Sequence, residues 1–199
     1  MRPHYSLVSA PVTEPVSLDQ ALEHLRVDSS DDIAYVDALI PVAREFVESL
    51  TGRVCSLSTW RLTADSWAAA LVGCGGGNVP LFRTPLVSIT SIKYIGANSS
   101  DQTVMDAGDY ISIPGYQPGM VHFPDNLPSL ASRPDAVQID FVAGHEDPEL
   151  ASPVLRHAIK LLVAHLYENR MPVAFASCNE IPFTLQSLIN NQKLGGWVA

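Results

Sequence analysis

Apolar residues recur along this chain at two different periods, and the change from one to the other marks out its organisation. In the first fifty residues the spacing is helical. Ser17-Leu18-Asp19-Gln20 reads as a capping box, in which the Ser17 hydroxyl and the Gln20 side chain satisfy otherwise free amides of a first helical turn. Leu18, Ala21, Leu22 and Leu25 then form one apolar stripe. Ser29-Ser30-Asp31-Asp32 supplies a second start signal, and Ile33, Val36, Leu39, Ile40, Ala43, Phe46, Val47 and Leu50 repeat at helical spacing up to Gly52, a predicted C-terminal cap. Pro41 interrupts this pattern, removing a backbone hydrogen bond and crowding the preceding turn at about 3 kcal/mol. A kink or break is expected near residues 37–41, and a stripe that stays in phase on both sides favours the kink.

From Cys55 to about Gly144 the pattern becomes strand-like. Runs at Leu57 to Thr63, Val79 to Phe82, Val87 to Ile95, Tyr110 to Ile113, Met120 to Phe123 and Val137 to Val142 are separated by Gly- and Pro-rich breaks. Short strands without intervening helical pattern predict an antiparallel sheet or small barrel, not a parallel nucleotide-binding sheet. Helical spacing returns at Ser152-Pro153, with proline at the first helical position, and runs through Val154, Leu155, Ala158, Leu161, Leu162, His165 and Leu166 to Asn169-Arg170. After Met171 to Pro182 a last helix is predicted from Phe183 to about Lys193, carrying Leu185, Leu188 and Ile189, followed by Gly195-Gly196-Trp197. The expected fold class is α+β: a helical bundle built from residues 1–54 and 151–199, with an antiparallel β subdomain, residues 55–150, inserted between them.

Charge narrows the function. Twelve basic residues against 21 acidic ones leave a formal charge of −9, with the basic residues scattered singly, which argues against a protein that grips nucleic acid through its phosphates. Only 17% of residues are charged while 47% are hydrophobic, a composition that points to partner surfaces. Cys55, Cys74 and Cys178 lie far apart and fit reduced thiols, not a disulfide framework. The first residues lack the apolar stretch of a signal peptide, and no apolar run is long enough to span a membrane, so neither secretion nor a membrane partner is expected.

Chemical motifs are weak. Gly75-Gly76-Gly77 is followed by Asn78-Val79-Pro80, without the Lys-Ser or Lys-Thr of a phosphate loop, and reads as a hairpin loop between Trp67 and Leu81. His145-Glu146-Asp147 places polar groups beside a strand end, but His157 and His165 are eight apart and no H-E-x-x-H spacing occurs. That triplet reads as a polar turn; a hydrolase built on it is the alternative from a different class, and a ligand-binding β module using Leu71 to Val79 is a third. No G-x-S-x-G elbow occurs. No catalytic, cofactor or metal residues are assigned. The candidate partner interface is Phe183, Leu185, Leu188, Ile189 and Trp197, since a tryptophan beyond two glycines either folds back or docks into a neighbour.

Several stretches together resemble the head-tail connector (adaptor) family of long-tailed double-stranded DNA bacteriophages. They are Val16-Ser17-Leu18-Asp19-Gln20-Ala21-Leu22-Glu23-His24-Leu25-Arg26-Val27, Asp31-Asp32, Ala43-Arg44-Glu45-Phe46-Val47-Glu48 with Thr51-Gly52-Arg53, Thr59-Trp60, Pro85-Leu86-Val87-Ser88-Ile89, Tyr110, Ala143-Gly144 and Ala158 to Arg170. Pro41, the Ala68 to Asn78 segment and the Gly-Gly-Trp tail depart from it. The resemblance implies a structural subunit, not an enzyme, that forms a ring of about twelve copies under the portal protein. It would sit in the virion neck after assembly in the host cytoplasm, lengthening the DNA channel without sequence-specific contact and meeting the next neck or tail-completion protein. A tail-completion or other neck protein of the same phage class is the nearest alternative. Ring contacts are expected on the outer faces of the helices at Ile33 to Leu50 and Ser152 to Arg170 and on the segment from Phe183 onward.

Overall fold

The computed structural model describes residues 3–27, 30–70, 77–124, 127–170 and 183–195. The capping box forms as the sequence predicts: Ser17 Oγ accepts the Gln20 amide at 3.2 Å, Gln20 Oε1 accepts the Ser17 amide at 3.3 Å, and helix α1 (Leu18–Leu25) follows. Helix α2 (Ile33–Thr51) closes on Gly52, whose left-handed φ of 73° lets its amide reach the Glu48 carbonyl at 2.9 Å. It runs unbroken through Pro41. Of the two expectations the break is absent, as the in-phase stripe favoured, since Val36 and Ile40 on one side of the proline, and Ala43 and Val47 on the other, are buried in the same core.

The chain divides into two compact units, Met1–Pro11 with Leu57–Gly144 and Val12–Ser56 with His145–Ala199. The expected grouping of residues 1–54 with the helices therefore needs correcting at its start, since residues up to Pro11 belong with the strands. In the helical unit α1 and α2 are joined by α4 (Pro153–Glu168) and α5 (Phe183–Gln192). Helix α4 ends at Glu168, next to the expected Asn169-Arg170, and the Asn169 side-chain amide donates to the His165 carbonyl of its last turn at 2.8 Å. Their common core contains Ala21, Val36, Ile40, Ala43, Val47, Leu155, Ala158, Ile159, Leu162, Val163, Leu185 and Ile189. Each large aliphatic side chain fully buried there stabilises the fold by about 1.5–3 kcal/mol.

Polar groups tie the last turn of α2 into this core. The Arg44 guanidinium donates from Nη1 to Glu48 Oε2 at 2.9 Å and from Nε to Glu14 Oε2 at 2.8 Å, while Glu48 Oε1 accepts the Cys55 amide at 2.7 Å. Arg44 and Glu48 are both buried. Burial alone would lower the pKa of Arg44, but the charges of Glu48 and Glu14 outweigh it and hold it above its ordinary value. One turn on, the Thr51 carbonyl accepts the Leu194 amide at 3.1 Å, and Arg53 Nε donates to the Gln192 carbonyl at 2.7 Å, so the end of α5 is pinned to the end of α2.

The β unit holds two antiparallel sheets. Strands β1 (His4–Ser9), β2 (Ser58–Ala64), β4 (Leu86–Ile95), β5 (Gln102–Val104) and β8 (Val137–Ala143) form one, in the order β1-β2-β8-β4-β5. Strands β3 (Asn78–Leu81), β6 (Ile111–Ile113) and β7 (Gly119–His122) form the other, in the order β3-β7-β6. β1 and β5 were not foreseen. Nor is the expected hairpin between Trp67 and Leu81 formed: a short helix α3 (Trp67–Ala70) follows β2, and β3 pairs with β7 in the other sheet. Gly75 and Gly76 lie outside the described residues. The Tyr5 hydroxyl of β1 accepts the Phe82 amide at 3.0 Å and donates to the Pro80 carbonyl at 3.3 Å, linking the edge of the first sheet to β3. Gly119 lets β7 approach β4, since a Cβ there would lie 2.4 Å from that of Leu86.

On the outer face of the five-stranded sheet the register sets Arg61 and Ser91 on either side of Asp140. Arg61 grips that carboxylate with two hydrogen bonds, 2.6 and 3.0 Å, and Lys93 Nζ stands 3.9 Å away. Burial would raise the Asp140 pKa, but the Arg61 hydrogen bond and the Arg61 and Lys93 charges hold it below the usual carboxylate value.

Two consequences can be measured. Arg44→Met leaves Glu48 buried without its cation, and we expect a loss of about 3–5 kcal/mol in denaturant unfolding. A further Glu48→Leu should recover only part of it, because the Cys55 amide then lacks its acceptor; additive losses would contradict the network. For Asp140, whose folded pKa is depressed, the pairing stabilises fully above the unfolded carboxylate value of about 3.9 and fades as pH falls through the folded value. Asp140→Asn should therefore cost about 1–2 kcal/mol at neutral pH, the low end because Arg61 is a third exposed, with the difference from wild type shrinking as the pH falls below the unfolded carboxylate value and through the folded one. A difference that does not shrink in acid would assign the loss to packing instead.

Candidate functional site

The polar triplet His145-Glu146-Asp147 is a structural turn. His145 makes an isolated parallel bridge with Ser56, and the Asp147 carboxylate accepts the Glu149 amide at 3.0 Å, opening a 3-10 turn at Pro148–Leu150. Burial lowers the pKa of His145, and no carboxylate is paired with its ring among the described residues. The only cysteine described, Cys55, is buried, and its thiol pKa is pushed up by burial first and by the nearby Glu48 charge second. A thiol held protonated in this way is a poor nucleophile. Among the described residues no group of three His, Cys, Asp or Glu could hold a metal ion, and no helix is long and apolar enough to cross a membrane.

The proposed interface at the last helix is only partly available. Leu185 is 0% exposed and Ile189 2%, both inside the helical unit's own core, so these two serve folding and are withdrawn as partner contacts. Their 3.6-residue spacing is what any core-facing helix shows, and sequence alone could not separate the two uses. Leu188 is half-buried, the side chain of Phe183 and all of Trp197 lie outside the described residues, and Leu194 is buried just before the tail.

Two other surfaces of the helical unit carry more chemistry. At one, Asp32 begins α2 without capping it: its carboxylate accepts from the Tyr167 hydroxyl at 2.6 Å and from Arg170 Nη2 at 2.7 Å. The Arg170 guanidinium stacks against Tyr35 at 4.6 Å and Tyr167 at 4.7 Å, joining the start of α2 to the end of α4. These hydrogen bonds, Tyr167 first, hold Asp32 below the usual carboxylate range. The other surface is the outward face of α2, where Ala34, Ala38, Val42 and Phe46 fall four residues apart. Val42 is 53% exposed and Phe46 36%, with the exposed acid Glu45 beside Val42. A row at that spacing lies along one line of a helix, where it can seat another protein surface.

No family model and no curated protein matches the sequence. Solved structures do. A chain from the neck of an empty gene transfer agent (GTA) particle computed with C6 symmetry superposes with a TM-score of 0.74 at 20% identity, covering 98% of this chain and 97% of that one. A chain from the virion of the native gene transfer agent particle gives 0.74 at 21%, over the same shares of both chains. A chain from the neck of the native GTA particle computed with C12 symmetry gives 0.68 at 23%, again over 98% and 97%. The likeness spans both units, and along nearly its whole length this chain has the fold of those particle chains.

Proposed function

We propose that this chain is a structural subunit of a phage-like neck, a head-tail connector that forms a ring of about twelve copies beneath the portal protein, extends the DNA channel and receives the next neck or tail-completion protein. The observation that carries it is the end-to-end likeness to chains of gene transfer agent necks computed with sixfold and twelvefold symmetry. A ring of that kind is head-to-tail, so each copy presents two different surfaces. The helical unit offers an outward row on α2 and a separate surface along α4, and the role needs no catalytic group. The work of such a subunit is mechanical.

Acidity suits a channel. Twelve copies at −9 would carry about −108 formal charges, a field that repels DNA phosphates and lets the duplex slide without sticking.

The reading is tested by negative-stain microscopy and solution mass of the purified chain, alone and with its portal. We expect rings or stoichiometric decoration of the portal; a chain that stays monomeric and ignores the portal but binds the tail tube would make it a tail-completion protein instead. In a reconstruction of the ring the lumen should be acidic or neutral, and a strongly basic lumen would overturn the sliding argument while leaving the ring intact.

A further inference from the structure

Helices α1 and α4 leave an open recess of ≈ 330 Å³, lined by Gln20, Glu23, Pro153, Arg156, His157 and Lys160. In an acidic chain it gathers cations. Arg156 and Lys160 are one turn apart on α4, hence side by side, and neither is in an ion pair among the described residues. Arg156 Nε is buried from solvent with no hydrogen-bond partner. The His157 ring meets that of His24 edge-on at 6.1 Å, and His24 has its pKa lowered by burial first, then by the positive charge of Lys160 and of His157. Elsewhere in the chain the cations Arg44, Arg61, Lys93, Arg133 and Arg170 sit against carboxylates. In the recess Arg156 and Lys160 stand side by side without such a partner among the described residues, and a buried donor without an acceptor is a group that a ligand can satisfy.

The complementary surface is on the same molecule. The outward face of α2 presents Glu45 beside Val42, with Phe46 further along the row, and it points away from the core in which α2 packs on α4. We propose that the α1–α4 recess receives Glu45 of a second copy of this chain, with Arg156 and Lys160 as the cationic side of the contact and the Val42–Phe46 row as its apolar side. The proposal rests on the ring reading above and adds which surfaces meet. Opposite charge brings the two faces together and like charge keeps equal faces apart, so the contact is head-to-tail and can close into a ring.

The experiment uses the ring, free or on its portal, assembled from an equal mixture of ¹⁴N- and ¹⁵N-labelled full-length chain. A water-soluble carbodiimide joins a lysine amine to a carboxylate in ion-pair reach, and mass spectrometry reads the mixed-isotope peptides. The chain has three lysines, Lys93, Lys160 and Lys193, so the readout is sparse. We expect mixed-isotope amides between Lys160 and Glu45. Lys160→Glu and Glu45→Lys should each weaken ring association at least about tenfold, the effect of losing one close interfacial charge pair, and Lys160→Glu combined with Glu45→Lys in one chain should restore it. Mixed-isotope amides at Lys93 or Lys193 with none at Lys160, or Lys160 joined to acids of another segment, would overturn the pairing and leave the ring standing. Protection of Lys160 only when DNA is present would assign the recess to phosphate instead and also overturn it. Failure to obtain any ring removes the ring reading and the pairing with it, a result separate from the other two.

Discussion

A carboxylate and a guanidinium without water around them must satisfy each other completely, and that requirement governs the last turn of α2. Glu48 has one oxygen on Arg44 and the other on the Cys55 amide, and Arg44 reaches on to Glu14. Three stretches of chain, before α1, within α2 and after Gly52, are thereby fixed to a single point. The same helix end supplies the Thr51 carbonyl that takes the Leu194 amide. The helical unit is thus held by apolar packing along α2 and by directional bonds at its end. Packing sets how strongly the helices associate; the bonds set where the loops between them begin. A buried ion pair adds little net stability over well-packed apolar residues, but its directional bonds hold Glu14 and the Cys55 amide at fixed places against α2.

Much of this architecture was legible because its signals are local. The Ser17–Gln20 box, Gly52 at a left-handed turn and Pro153 at the first helical position each act through neighbours in sequence, and each appears where expected. Central strands such as β2 and β8 alternate buried and half-buried positions along much of their length, which sequence shows directly. Edge strands do not. β1 has no fully buried residue and β5 is exposed throughout, so neither writes an alternating pattern, and their pairing is decided by partners far away in sequence. Pro41 is the opposite case, a strong local signal that does not end the helix, because the apolar core is continuous on both sides of it.

The functional surfaces were less legible, for a related reason. Leu185 and Ile189 have the spacing of an interface and of a core alike, and only the three-dimensional partners decide between them. The basic recess was invisible because its members come from two helices distant in sequence, and because Arg156 and Lys160 four residues apart look like an ordinary solvated face. What distinguishes them is that, among the described residues, no carboxylate comes within ion-pair distance of either, although Glu23 lines the same recess, and that is a property of the folded surface. Scattered single cations in an acidic sequence therefore say little until one knows which are already paired.

The helical unit is also discontinuous in a way that matters while the chain is being made. Its first half ends at Ser56 and its second begins at His145, with the whole Leu57–Gly144 stretch between them. At a synthesis rate of about 5–20 residues per second, α2 waits on the order of ten seconds for the helix that covers it. During that interval Val36, Ile40 and Val47 have no α4 to bury them, whereas the strands from β2 to β8 can already pair with the N-terminal strand. Order of emergence from the ribosome thus favours sheet before bundle, and the apolar face of α2 stays open to chaperones, or to another nascent copy, until the last quarter of the chain appears.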